Sequence, residues 1–299
     1  MQLMRIMDTA NSSDIALIFK SLLDRVPLLI VGKDDVEVDE LINDLASFIS
    51  FRNEVIFYTD FVSNEEYTDL LANEEDDYED ARSVFLSHCG ATKIAVKEIS
   101  NFKSWILRVT QNFAYDDDSN EIKQQLYEKS GYFLVVKIFP NVLEINMEGK
   151  KFPKIDLTFE KWLYKQAING TEDSIERMKR VLAKKVKLNS ITQDQLLSLI
   201  DFEMEELELK RNIFKKELLA FYQASKRASF ILNRMLMLQQ MDMPATIAEK
   251  TLLATISYEY APVHRILQFI YNEWGQTYPD ILQSRRSSNF GDLLESMWG

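Results

Sequence analysis

Between Thr192 and Gln240 the chain runs for 49 residues without a glycine or a proline. Apolar residues recur there at alternating spacings of three and four: Leu197, Ile200, Met204, Leu207, Phe214, Leu218, Phe221, Ala228, Leu232 and Met235 form one seam, broken by Arg211 and Ser225. An unbroken helix over this run spans roughly 70 Å at 1.5 Å per residue, about twice the width of a small domain. Part of it is therefore expected to project or to meet a partner. In the first half of the run, Glu203, Glu205, Glu206 and Glu208 precede Lys210, Arg211, Lys215 and Lys216. That order favours antiparallel pairing of two copies, with Arg211 in the seam lying opposite an acid and setting the register.

At 299 residues the chain exceeds the size at which one hydrophobic core stops growing, so two domains are expected. A hydrophobic fraction of 46% with only 8 Gly and 6 Pro suits a globular, helix-rich protein. The single cysteine, Cys89, has no internal partner for a disulfide, and no basic-then-apolar leader is evident, which points to a reducing compartment, the cytoplasm. Apolar runs such as Val26 to Val31 fall far short of the about 20 residues a membrane span needs. Residues 34 to 80 carry 17 acids against Arg52 alone, whereas residues 150 to 190 carry 11 bases against 5 acids. The net charge of −12 is thus unevenly spread, which a solvated face on each domain accounts for first and a docking contact between the halves, or between copies head to tail, second.

Before residue 156, helix and strand signals alternate. Ser12 or Ser13 caps a helix to about Arg25; Pro27 to Val31 is an apolar strand ended by Gly32; Val36 to Ile49 is helical; Val55 to Tyr58 is a second strand. Ser63 to Glu66 fits a capping box for a helix to Asn73, and the tract Glu74 to Asp80 is too acidic to pack. Val84 to Ser87 and Ile94 to Ile99 read as strands, Asn101 as the cap of a helix to Thr110, and Glu121 to Lys129 as a helix. Tyr132 to Phe139 is a strand, and Val142 to Phe152 reads as a hairpin turning at Glu148 and Gly149. This succession predicts an α/β domain over residues 1–156, with a mostly parallel sheet in a three-layer arrangement.

From Leu157 the pattern is helical. A helix over Thr158 to Ile168 closes at Asn169 and Gly170, Thr171 opens a basic helix to Val186, and Thr192 with Gln195 opens the long one. Pro244 and Pro262 suit first helical turns and Gly275 a helix end. An all-α domain over 157–284, containing the long helix 192–240, and a polar then amphipathic tail over 285–299 complete the organisation.

The loop after the first strand is the first candidate for chemistry. The segment Ile30 to Leu41 (IVGKDDVEVDEL) resembles in outline the first unit of P-loop nucleotide-binding domains, in which a strand, a glycine and a helix N-terminus hold phosphate. The resemblance implies a nucleotide near Gly32 and Lys33. Where that family places a second Gly, a Lys and a Ser or Thr, this chain has Glu37, Val38 and Asp39, and Asp34, Asp35, Glu37 and Asp39 repel a phosphate. His88 and Cys89 are neighbours on a strand end and point to opposite faces, so they form no nucleophile–base pair. With His264 the only other histidine, and expected to be a surface or packing residue, no metal-ligand spacing exists. Asp60, Glu65, Glu66 and Glu98 lie near strand ends where α/β enzymes place catalytic groups, and none is singled out.

The run Arg177 to Lys187, with Arg177, Lys179, Arg180, Lys184, Lys185 and Lys187, is the one feature suited to nucleic acid. The acidic total and the lack of interleaved aromatics weigh against that. Phe214, Phe221, Tyr222, Phe230, Met235, Met237, Met241 and Met243 read as core packing more readily than as a groove. The sequence therefore predicts a nonenzymatic cytoplasmic regulatory or adaptor protein without cofactor or metal. It associates with a protein partner or a second copy through Leu197, Ile200, Met204, Leu207, Arg211 and Phe214. A nucleotide-dependent regulator on a degenerate P-loop-like domain, and a DNA- or RNA-associated factor, are the alternatives.

Overall fold

The computed structural model describes residues 2–57, 82–86, 104–110, 123–128, 131–139, 142–149, 155–189, 202–278 and 281–283. It contains a mixed sheet in the N-terminal half and a helical C-terminal half. The chain forms two compact units, Met1–Leu219 and Ala220–Gly299.

In the first unit, helices α1 (Gln2–Thr9) and α2 (Ser12–Leu23) precede strand β1 (Leu28–Gly32) and helix α3 (Asp35–Phe48). Strands β2 (Asn53–Phe57), β3 (Arg82–Leu86), β4 (Ser104–Thr110), β5 (Tyr132–Phe139) and β6 (Val142–Gly149) follow, with a short helix at 123–128. The sheet order is β2-β3-β4-β1-β5-β6; all neighbours are parallel except β5 and β6. Every residue of β1 is buried, as an interior strand covered on both faces requires. Asn11 caps α2 through its side chain, one residue before the serines that the sequence suggested. Arg52, the lone base of the acidic stretch, donates to the Leu22 and Leu23 carbonyls at 2.6 and 2.9 Å, a cation placed at the negative end of α2.

Helix α4 (Thr158–Asn189) packs on α2, and helix α5 (Phe202–Gln240) adds Phe214 to the core. The Phe214 ring lies 5.4 Å from Phe19, 6.3 Å from Phe48 and 5.8 Å from Tyr164. The division into units falls within α5, whereas the sequence reading places a boundary near residue 156. The start of the long run, 192–201, lies outside the described residues, as do the expected helix at 63–73 and the strand at 94–99.

Four local expectations are corrected. Asn101 opens no helix reaching Thr110, because SWILRVT forms β4, buried from Ser104 to Val109 between β1 and β3. Glu148 and Gly149 are no turn: they pair with Phe133 and Tyr132 at the end of the β5–β6 ladder. Gly170 closes nothing, since α4 continues through it; a Cβ there would sit 3.6 Å from Ile213, so the glycine lies where α4 and α5 approach. Thr171 is no cap either, its hydroxyl instead donating to the Ala167 carbonyl one turn back.

The second unit contains the end of α5, strand β7 (Ile247–Ala248), helices α6 (Glu249–Ile256) and α7 (Val263–Trp274), and strand β8 (Leu282–Gln283). The parallel β7–β8 pair shows that this part is not purely helical. Helix α5 ends on Asp242 at φ 59°, with the Met243 amide donating to the Leu238 carbonyl. Pro244 falls five residues before α6 and opens no helix, whereas Pro262 sits directly before α7 and Gly275, at φ 68°, closes it. Phe221 and Phe269 pack edge to face at 5.1 Å, and the Arg265 guanidinium lies 5.5 Å from the Phe221 ring centre.

Candidate interaction surface

The Gly32 loop lies at the carboxyl end of β1, between β4 and β5, where the strand order reverses. That is where open α/β sheets hold ligands. The local chemistry is occupied by the chain itself. Asp34 caps α3, its carboxylate accepting from the Val36 and Glu37 amides at 2.9 and 3.1 Å, the donors a phosphate would use. A Cβ on Gly32 would meet Val38 Cγ2 at 2.4 Å, so the glycine serves the close approach of α3 to its strand. Asp39 binds the buried Arg108 of β4 at 2.8 Å, while Lys33 is exposed beside the exposed acids Asp34, Glu37 and Glu40.

The basic run lies on α4. Arg177, Lys179 and Arg180 are exposed, Arg180 pairs with Glu176 one turn back, and the whole stretch Glu176–Val181 is uncovered. Lys184, Lys185 and Lys187 are on the same helix, with side chains outside the described set.

The seam assigned to a partner divides. Leu197 and Ile200 lie outside the described residues; Met204 is on α5 without a described side chain; Leu207 is half-buried. Arg211 does face an acid, but the acid is this chain's own Asp44: the two are 3.6 Å apart, and Arg211 Nε donates to Ser47 Oγ at 3.3 Å. Asp44 also accepts from the Leu3 amide at 3.0 Å. Phe214 is fully buried in the aromatic cluster described above. Arg211 and Phe214 are therefore committed within their own unit, which corrects their assignment to an external contact.

The face left open on α5 is a different one. In its second half Phe221, Ala224, Ser225, Ala228 and Leu232 are buried. Ser229 and Asn233 join Gln276 and Tyr278: the Tyr278 hydroxyl lies 2.6 Å from Gln276 Oε1 and 2.9 Å from Asn233 Oδ1, and Ser229 Oγ donates to Gln276 Oε1 at 2.6 Å. Burial raises the Tyr278 phenol above its ordinary value, with a lowering from its Ser229 bond. Away from that face, Phe230 is 72% exposed, Met237 53% and Met241 65%. Residues 230, 237 and 241 fall within about 40° of one another around a helix, so these side chains form one stripe. Met243 extends the exposed apolar surface past the helix end.

Phe230, Met237, Met241 and Met243, expected in the core from their hydrophobicity, are exposed instead. His264 is exposed on α7. His88, Cys89, Asp60, Glu65, Glu66 and Glu98 lie outside the described residues. Among the described residues no cluster of His, Cys, Asp and Glu is arranged to hold a metal, and no helix is long and apolar enough to cross a membrane. Comparison with protein families, with curated proteins and with solved structures found no match.

Proposed function

We propose that this chain is a nonenzymatic cytoplasmic regulatory or adaptor protein that self-associates through the second half of α5. The scaffold in this reading is a mostly parallel, three-layer α/β unit joined to helices by one long helix. The observation that carries it is the exposed stripe of Phe230, Met237 and Met241. Burying a side chain of this size is worth about 1.5–3 kcal/mol, so the stripe supplies the apolar centre an interface requires. Methionines adapt their shape to a partner, which suits a docking surface. Light scattering of the full chain across micromolar concentrations tests the reading: a mass of two chains that Phe230→Asp returns to one supports it, and one chain throughout contradicts it.

A second reading has its own observation, the place of Gly32 at the reversal of strand order. It makes the chain a nucleotide-dependent regulator on a degenerate P-loop-like domain. A rise in melting temperature with ATP or GTP and magnesium, abolished by Lys33→Ala, supports it. The Asp34 carboxylate on the α3 amides favours the first reading.

A further inference from the structure

The charge around the stripe indicates what covers it. From Ala220 to Met241 the chain has no acidic residue and three bases, Lys226, Arg227 and Arg234, all exposed. At helical spacing these bases fall within about 60° of Phe230, so they edge the apolar side chains. Two such faces laid together would set cations against cations with no carboxylate between them, which disfavours pairing of stripe with stripe. The surface instead fits an amphipathic segment with acids and no bases.

The chain carries one. Phe290, Leu293, Leu294, Met297 and Trp298 recur at positions i, i+3, i+4, i+7 and i+8, and the charged residues among 290–298 are Asp292 and Glu295. The comparably acidic and amphipathic α3 is not available, because its Val38, Leu41, Ile42 and Leu45 are buried in the first unit. Strand β8 leads toward the segment and ends at Gln283, in register with Ala248, seven residues past Met241. The six residues from Ser284 to Asn289 span up to about 20 Å when extended. The segment and the stripe belong to the same unit, so two copies are able to exchange segments reciprocally and close as a two-fold dimer.

We infer that the stripe on α5 receives the acidic C-terminal segment Phe290–Trp298 of a second copy of this chain. This rests on the self-association reading and names its partner surface. Apolar side chains of the segment cover Phe230, Met237 and Met241, while Asp292 and Glu295 lie in the field of Lys226, Arg227 and Arg234.

The test uses the full chain with Leu294→Asp beside Phe230→Asp, followed by light scattering. Each substitution is expected to raise the dimer dissociation constant by at least about tenfold. In a Cys89→Ser background, one copy carrying Phe230→Cys is mixed with another carrying Met297→Cys and oxidised. A disulfide between chains is expected, and none when His264→Cys replaces the stripe position. If Phe230→Asp dissociates the dimer while Leu294→Asp leaves it intact, the segment is not the occupant, although self-association stands. A disulfide formed only within a chain carrying both cysteines overturns the exchange. An unsubstituted chain that is monomeric throughout overturns the self-association reading itself.

Discussion

Gly32 shows how one residue changes meaning between sequence and structure. After an apolar strand and before a helix, it has the look of a phosphate-binding glycine; in the fold it is the only side chain short enough to let Val38 approach the strand. Gly32→Ala is therefore expected to overpack that contact and cost about 1–3 kcal/mol in denaturant melts. Val38→Ala should recover part of the loss, which a phosphate role for the glycine would not predict. Arg211 was legible as a seam cation needing an acid, but periodicity does not reveal on which molecule the acid lies. Asp44, 167 residues earlier, is a long-range partner that local pattern has no means of locating. Tyr278 gives a second residue-scale prediction. Its phenol ionises above the ordinary 10.0 because burial disfavours the charged form, so its contribution to stability is complete below pH 10 and lost as pH rises through the raised value. Tyr278→Phe is expected to cost about 1 kcal/mol at neutral pH and to flatten the alkaline decline in urea melts. Tyr127 and Tyr132, also raised mainly by burial, keep part of that decline.

At the scale of elements, the two glycines Gly170 and Gly275 separate what sequence shows from what it hides. Both follow an apolar helical pattern and both read as helix ends; Gly275 is one, at φ 68°, and Gly170 lies inside α4. Substitution by alanine should thus have opposite signs. Gly170→Ala is expected to stabilise by about 0.5–1 kcal/mol, since a helix interior favours alanine and the space beside Ile213 admits a methyl. Gly275→Ala is expected to destabilise by about 1–2 kcal/mol, because alanine resists positive φ. Thermal melts of the two variants check both signs. The strand β1, helix α3 and strand β5 were readable because their patterns were strong and their ends marked. β4 was not: Ser104 to Val109 are all buried, Arg108 among them, so the run SWILRVT shows no alternation of apolar and polar residues and looks alike as helix or strand until its neighbours are known. Likewise the exposed stripe on α5 was hidden by its own hydrophobicity, since Phe230 and the methionines carry no local mark of facing outward.

For the whole molecule, net charge and its uneven spread were plain in sequence, but which charged surfaces matter depends on the fold. The acids of α3 crowd the Gly32 loop, and the bases of α5 edge the apolar stripe. Association governed by that stripe should be mainly apolar, with a modest weakening in high salt as the cations are screened. The most direct test of the account is the solution mass of the full chain by light scattering over micromolar concentrations, beside Phe230→Asp. The account predicts two chains for the unsubstituted protein and one for the variant; a single chain for both, or two for both, contradicts it.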